Sequence, residues 1–150
     1  MKFRSMNYES FKIRGSPTFK EKSIDALKWI KTKSPKDYSK IKRYLKGIKQ
    51  SNHSYMGLKD GIFRVSKTSA YHSVEWYAGI IIHDVHHYYL HNIEQFKWIS
   101  KNFKKHEHLC FDEQLKFLKK IKAPLWIIKH VEGAYNRGHW QVAKRKKQRY

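Results

Sequence analysis

The sequence predicts an α+β, mostly α domain, built on one buried central helix with a small sheet or edge strand beside it. Three observations carry this. Residues 73–92 are apolar nearly all the way round, at Val74, Trp76, Tyr77, Ala78, Ile80, Ile81 and Ile82, the pattern of a helix surrounded by protein. Several other segments show apolar residues at three and four spacing against lysine-rich outer faces. Only one segment, Gly61 to Ser66, alternates as a strand should, with Ile62 and Arg64 on one face and Phe63 and Val65 on the other.

In chain order, residues 1–18 read as a short extended lead-in that ends in the turn-like Gly15-Ser16-Pro17. A helix is expected from about Ser23, with Ile24, Ala26, Leu27 and Ile30 on its inner face, and Ser34-Pro35 ends it. Pro35 suits the first position of the next helix, whose stripe is Tyr38, Ile41, Tyr44, Leu45 and Ile48 and which fades at residues 50–52. After the strand and the central helix, two further helices fit 106–122 and 124–135, divided by Ala123-Pro124. The whole of 1–143 forms one domain, and 144–150 is a basic C-terminal tail.

The chain has 150 residues, 40% of them hydrophobic, enough for a single core. Its 33 Lys and Arg against 12 Asp and Glu give a net charge of +21, which draws a protein toward polyanions. Lysine supplies most of that charge, whereas base reading leans on the planar fork of arginine. Any nucleic-acid or other polyanion partner is therefore expected to be held nonspecifically. Cys110 is the only cysteine, so no internal disulfide forms. The charged and polar start, Met1 to Asn7, lacks the apolar stretch of a secretory signal. The apolar run Trp76 to Ile82 falls far short of the ~20 residues of a transmembrane segment. A cytoplasmic protein is expected.

The chemistry sits in the central helix, in Ile82-His83-Asp84-Val85-His86-His87. His83 and His87 are four apart, so both imidazoles leave one face, one turn from each other. They continue the stripe of Trp76 and Ile80, where burying two neutral imidazoles without partners is costly. Two such rings can share one zinc ion. Asp84 follows the first histidine, the place where the motif H-E-x-x-H puts its general base. His91 lies about 12 Å from His83 along a straight helix, too far to share an ion, and His86 points off that face.

A third ligand must come from elsewhere. In the next helix Glu107, Cys110, Gln114, Phe117 and Ile121 form one inward stripe, whereas Glu113, Lys116 and Lys120 face solvent. Glu107 is the expected ligand, with His106, His108 and Cys110 as alternatives. Tyr135 and His139, in Gly133-Ala-Tyr-Asn-Arg-Gly-His-Trp140, are candidate transition-state stabilisers.

A strand, a buried helix with H-D-x-x-H and a second helix offering Glu107 and Cys110 in an E-x-x-small pattern resemble, over residues 61–121, the gluzincin branch of zincin-like metallopeptidases in minimal form. The resemblance implies His83, His87 and Glu107 as zinc ligands and Asp84 as catalytic base. It also implies strand 61–66 as a docking edge for an extended peptide or protein substrate. Here Asp stands where the family has Glu, one methylene shorter. Two alternatives accompany this expectation: a basic nucleic-acid-binding protein with a structural metal site, and a DNA-associated protease similar to the SprT-like metalloproteases.

Overall fold

A computed structural model describes residues 3–137, and it has the α+β, mostly α architecture. His139 and the basic tail lie outside the described residues. The chain runs β1 (Ser5–Tyr8), β2 (Phe11–Arg14), α1 (Pro17–Lys33), α2 (Pro35–Tyr44), β3 (Gly47–Gln50), β4 (Tyr55–Met56), β5 (Ile62–Val65), α3 (Lys67–Ala70), α4 (Val74–Asn92), α5 (Phe103–Lys120) and α6 (Leu125–Asn136). No helix among the described residues is long and apolar enough to cross a membrane.

The extended lead-in is in fact a hairpin. β1 pairs antiparallel with β2, and Glu9 takes a positive φ of 51° at its turn. Phe11 and Ile13 point into the core while Lys12 faces out. The first helix starts at Pro17, six residues before the periodic stripe begins to show. Ser16 caps it, its hydroxyl accepting from the Phe19 amide at 3.2 Å, with Pro17 preset for a helical first turn.

Ile48 does not belong to the second helix. That helix stops at Tyr44, Leu45 turns extended, and Ile48 enters β3. Gly47 makes the pairing possible, since a Cβ there would stand 2.2 Å from the Lys12 carbonyl oxygen. The sheet order is β1-β2-β3-β5-β4, with β2, β3 and β5 parallel and the two outer pairs antiparallel. The strand at 61–66 is therefore not an edge. β5 is paired on both sides, Phe63 with Ile48 and with Met56, so its backbone cannot dock an extended substrate. The edge beside it belongs to the two-residue strand β4.

α4 is the centre of the molecule and touches α1, α2, α3, α5, β4 and β5. Ser73 caps it, accepting from the Trp76 amide at 3.1 Å. Tyr77, at 1% exposure, is seated by a 2.6 Å hydrogen bond with Ser23 of α1. α5 packs closely along the far side of α4, where a Cβ on Gly79 would meet the Leu118 side chain at 3.2 Å. That close approach brings the two histidine-bearing turns of α4 against the inward stripe of α5.

Candidate metal centre

His83 and His87 leave adjacent turns of α4, 6% and 0% exposed, with ring centroids 5.1 Å apart. Facing them from α5 are Glu107 at 3% and Cys110 at 0% exposure. His83, His87 and Cys110 each place one donor atom so that all lie within 4.8 Å of one another, a buried group able to hold a metal ion. Glu107 stands outside that group but touches both histidines. Its Oε1 lies 3.1 Å from His83 Nε2 and in close contact with His87 Nε2.

The outer nitrogens of both rings are committed as donors. His83 Nδ1 lies 2.9 Å from Gln114 Oε1, a carbonyl oxygen that only accepts, so Nδ1 carries the hydrogen. His87 Nδ1 lies 2.8 Å from His106 Nδ1. His106 Nε2 in turn donates to the Phe96 carbonyl at 3.0 Å. A neutral His106 then has only a lone pair at Nδ1, so His87 Nδ1 donates to it. The inner nitrogens of both rings face one oxygen, with His83 Nε2 hydrogen-bonded to Glu107 Oε1 at 3.1 Å and His87 Nε2 in close contact with it. Burial holds His87 below its ordinary pKa against the pull of Glu107. Burial, and secondarily His87, pushes His106 down to about 3.

Beside this group opens a cavity of about 300 Å³, whose wall includes Trp76, Ile80, His83, Asp84, Glu107 and Phe111. Asp84 is 6% exposed, and its Oδ1 is buried with no hydrogen-bond partner. A desolvated carboxylate oxygen without a donor is costly, which marks Asp84 as a group waiting for one.

The metal-capable group is thus His83, His87 and Cys110, one of the alternatives, with Glu107 against both histidines and Asp84 in the adjoining cavity wall. His106 stands one hydrogen bond behind His87. His108 turns away and stacks on Tyr135, centroids 4.2 Å apart. Tyr135 does not line the cavity; it touches the cavity wall through Phe111, at 6.2 Å between centroids. His91 accepts from the Trp98 amide at 2.9 Å, and His86 faces α2. Sequence reasoning missed three contributors. Gln114 was visible as a core position but not as a histidine anchor, and His106 as a ligand alternative but not as a relay. His130 reaches the cavity from α6 and stacks edge-on against Trp76 at 5.0 Å, and no local pattern marks it.

No known protein family matches this chain, and no curated protein or solved structure is significantly similar to it.

Proposed function

We propose that this chain is a zinc-dependent hydrolase of the zincin type, acting on peptide bonds, with His83, His87 and Glu107 as the protein ligands. The observation that carries the reading is the convergence of two buried imidazole Nε2 atoms on one carboxylate oxygen, with Cys110 beside them. Two imidazoles and a carboxylate converging in a buried space need a shared proton or a cation among them. The donor set, imidazole and carboxylate with a thiol nearby, suits zinc. The single cysteine and the absence of disulfides suit a reducing compartment such as the cytoplasm.

A zinc ion held there supplies Lewis acidity, lowering the pKa of water toward neutrality and polarising a substrate carbonyl. The remaining work falls to the chain's own side chains. Asp84 Oδ1, buried and undonated, accepts the proton of an attacking water and returns it to the leaving nitrogen. Trp76, Ile80 and Phe111 keep bulk water from that exchange. Gln114 and the His106–Phe96 relay hold each imidazole by Nδ1, so that Nε2 faces the site.

A second reading has its own observation. Cys110 lies close enough to join the two histidines, and a site closed by His83, His87, Glu107 and Cys110 would be structural, without an open position. Elemental analysis of the purified protein tests what both readings share. About one zinc per chain is expected in the wild type and none in the His83→Ala, His87→Ala double variant. Stoichiometric zinc persisting in the double variant ends both.

A further inference from the structure

Between α2 and the neighbouring face of α4 lies a larger cavity, of about 540 Å³, lined by Ser39, Lys40, Arg43, Tyr44, His86, Tyr89 and Glu113. Lys40 is half-buried in it, yet no carboxylate stands within salt-bridge distance among the described residues. Its Nζ instead donates to His86 Nδ1 at 2.7 Å and sits over the Tyr89 ring, 4.6 Å from the centroid. Burial lowers the Lys40 pKa, and its charge is balanced only at longer range, first by Glu113 of the same wall. Arg43, exposed at the rim, likewise has no acidic partner among the described residues.

The rest of the wall is arranged in the same sense. Because an ammonium group can only donate, His86 Nδ1 accepts, and the hydrogen of the neutral ring falls on Nε2. Nε2 has no partner of its own among the described residues and is not sealed from solvent. The site therefore combines two cations and an imidazole N–H. Beside them stand the rings of Tyr44 and Tyr89, 5.7 Å apart and tilted by 50°. Glu113 is the one carboxylate in the wall. A second cavity of about 200 Å³ shares Lys40 and Glu113 and adds Lys36, Asp37, Lys116, Phe117 and Lys120, with Lys120 paired to Asp37 at 3.8 Å.

We propose that this cavity binds a nucleoside phosphate, with the phosphoryl group on Lys40, Arg43 and His86 and the base against Tyr44, since Lys40 and the stacked His86 ring cover Tyr89. Arginine and lysine donors match phosphoryl oxygens, and aromatic faces take any base. Glu113 accepts from a sugar hydroxyl or a base N–H. The volume suits a mononucleotide, and the adjoining lysines suit the next phosphate of a single strand. The proposal is independent of the metal centre, since no residue of this wall is a candidate ligand.

Binding of thymidine 5′-monophosphate by calorimetry and of a fluorescein-labelled oligothymidylate by anisotropy tests it, with thymidine as the phosphate-free control. Both phosphate-bearing probes should bind and thymidine should not. Lys40→Met, which keeps the apolar stem, and the exposed Arg43→Gln should each weaken binding at least tenfold, while Lys28→Met on α1 should leave it within twofold. If the strand is the natural ligand, the oligothymidylate binds more than tenfold tighter than the mononucleotide and loses that gain in Lys116→Met. Equal affinities with no effect at Lys116 assign the site to a free nucleotide. Failure of both probes to bind, or equal losses from Lys28→Met and Arg43→Gln, overturns the proposal. Arg43→Gln lies on the surface, so the result does not depend on whether Lys40→Met folds.

Discussion

His87 and His106 meet Nδ1 to Nδ1 at 2.8 Å with their rings within 13° of parallel. Only one hydrogen fits between those nitrogens, and the Phe96 carbonyl decides which ring supplies it. By donating its Nε2 hydrogen to that carbonyl at 3.0 Å, His106 is left as an acceptor and fixes His87 as Nδ1–H.

The relay makes His106 a positioning residue for His87. His106→Leu removes the acceptor and frees the His87 ring to adopt the wrong tautomer, so zinc affinity should fall by about 10–100-fold, the usual scale for an outer-shell partner. His106→Gln, whose amide oxygen can accept the same hydrogen, should recover part of it. Competition with a chromophoric chelator gives both numbers. Unchanged affinity in His106→Leu would show that packing alone holds His87.

Glu107 and Cys110 are separable as third ligands. Glu107 touches both Nε2 atoms, so Glu107→Gln should lower zinc affinity by about two orders of magnitude, an extrapolation from the cost of leaving buried groups uncompensated. Cys110→Ser should cost only a few-fold, and Glu113→Ala, in the other cavity, nothing. The cobalt-substituted protein provides a direct check. A sulfur-to-cobalt charge-transfer band that vanishes in Cys110→Ser would favour the closed, structural site.

Much of this centre was legible in the chain because its signals are local. A helix apolar on all sides that carries histidines four apart places both rings in the core. The stripe of α5 turned Glu107 inward and Glu113 outward without reference to any other element. The relay was not legible, because it depends on how residues 93–102 travel between α4 and α5 and deliver the Phe96 carbonyl to His106. The sheet was understated for a similar reason. Its strands span two to four residues, too few to display an alternation, and β3 pairs only because Gly47 admits the Lys12 carbonyl. The start of α1 was misplaced because its first turn, Pro17 to Lys20, is set by the Ser16 cap rather than by an apolar stripe.

The hairpin turn gives a pH prediction. Glu9 receives Lys31 Nζ and the Tyr38 hydroxyl, both at 2.8 Å, and so ties β1–β2 to α1 and α2. These hydrogen bonds, that of Lys31 first, hold its carboxyl down from 4.5 to about 2. A carboxyl depressed in the folded state contributes stability that is fully present above its unfolded value of 4.5 and is lost as pH falls through about 2. Thermal midpoints followed across that window should fall more steeply in wild type than in Glu9→Gln. Parallel curves would mean that the contacts are too exposed to matter.

Asp84 separates a metal site from an enzyme. It follows His83 by one residue, about 100° round the helix, and its Oδ1 ends buried in the cavity wall with no donor. A ligand in that position would compete with Glu107, whereas a base needs only to reach water beside the ion. Asp84→Asn keeps the size and removes the proton acceptor. Zinc content should stay at the wild-type level while hydrolysis of a denatured protein or peptide mixture falls by about 10², the scale of a lost general base. Asp84→Glu, with one more methylene, should retain activity if the cavity has room for it beside Ile80 and Phe111. Loss of zinc in Asp84→Asn would make the residue a ligand or a structural support. Inert wild type and inert Asp84→Glu, both zinc-loaded, would leave a binding domain in which the lone carboxylate oxygen serves no reaction.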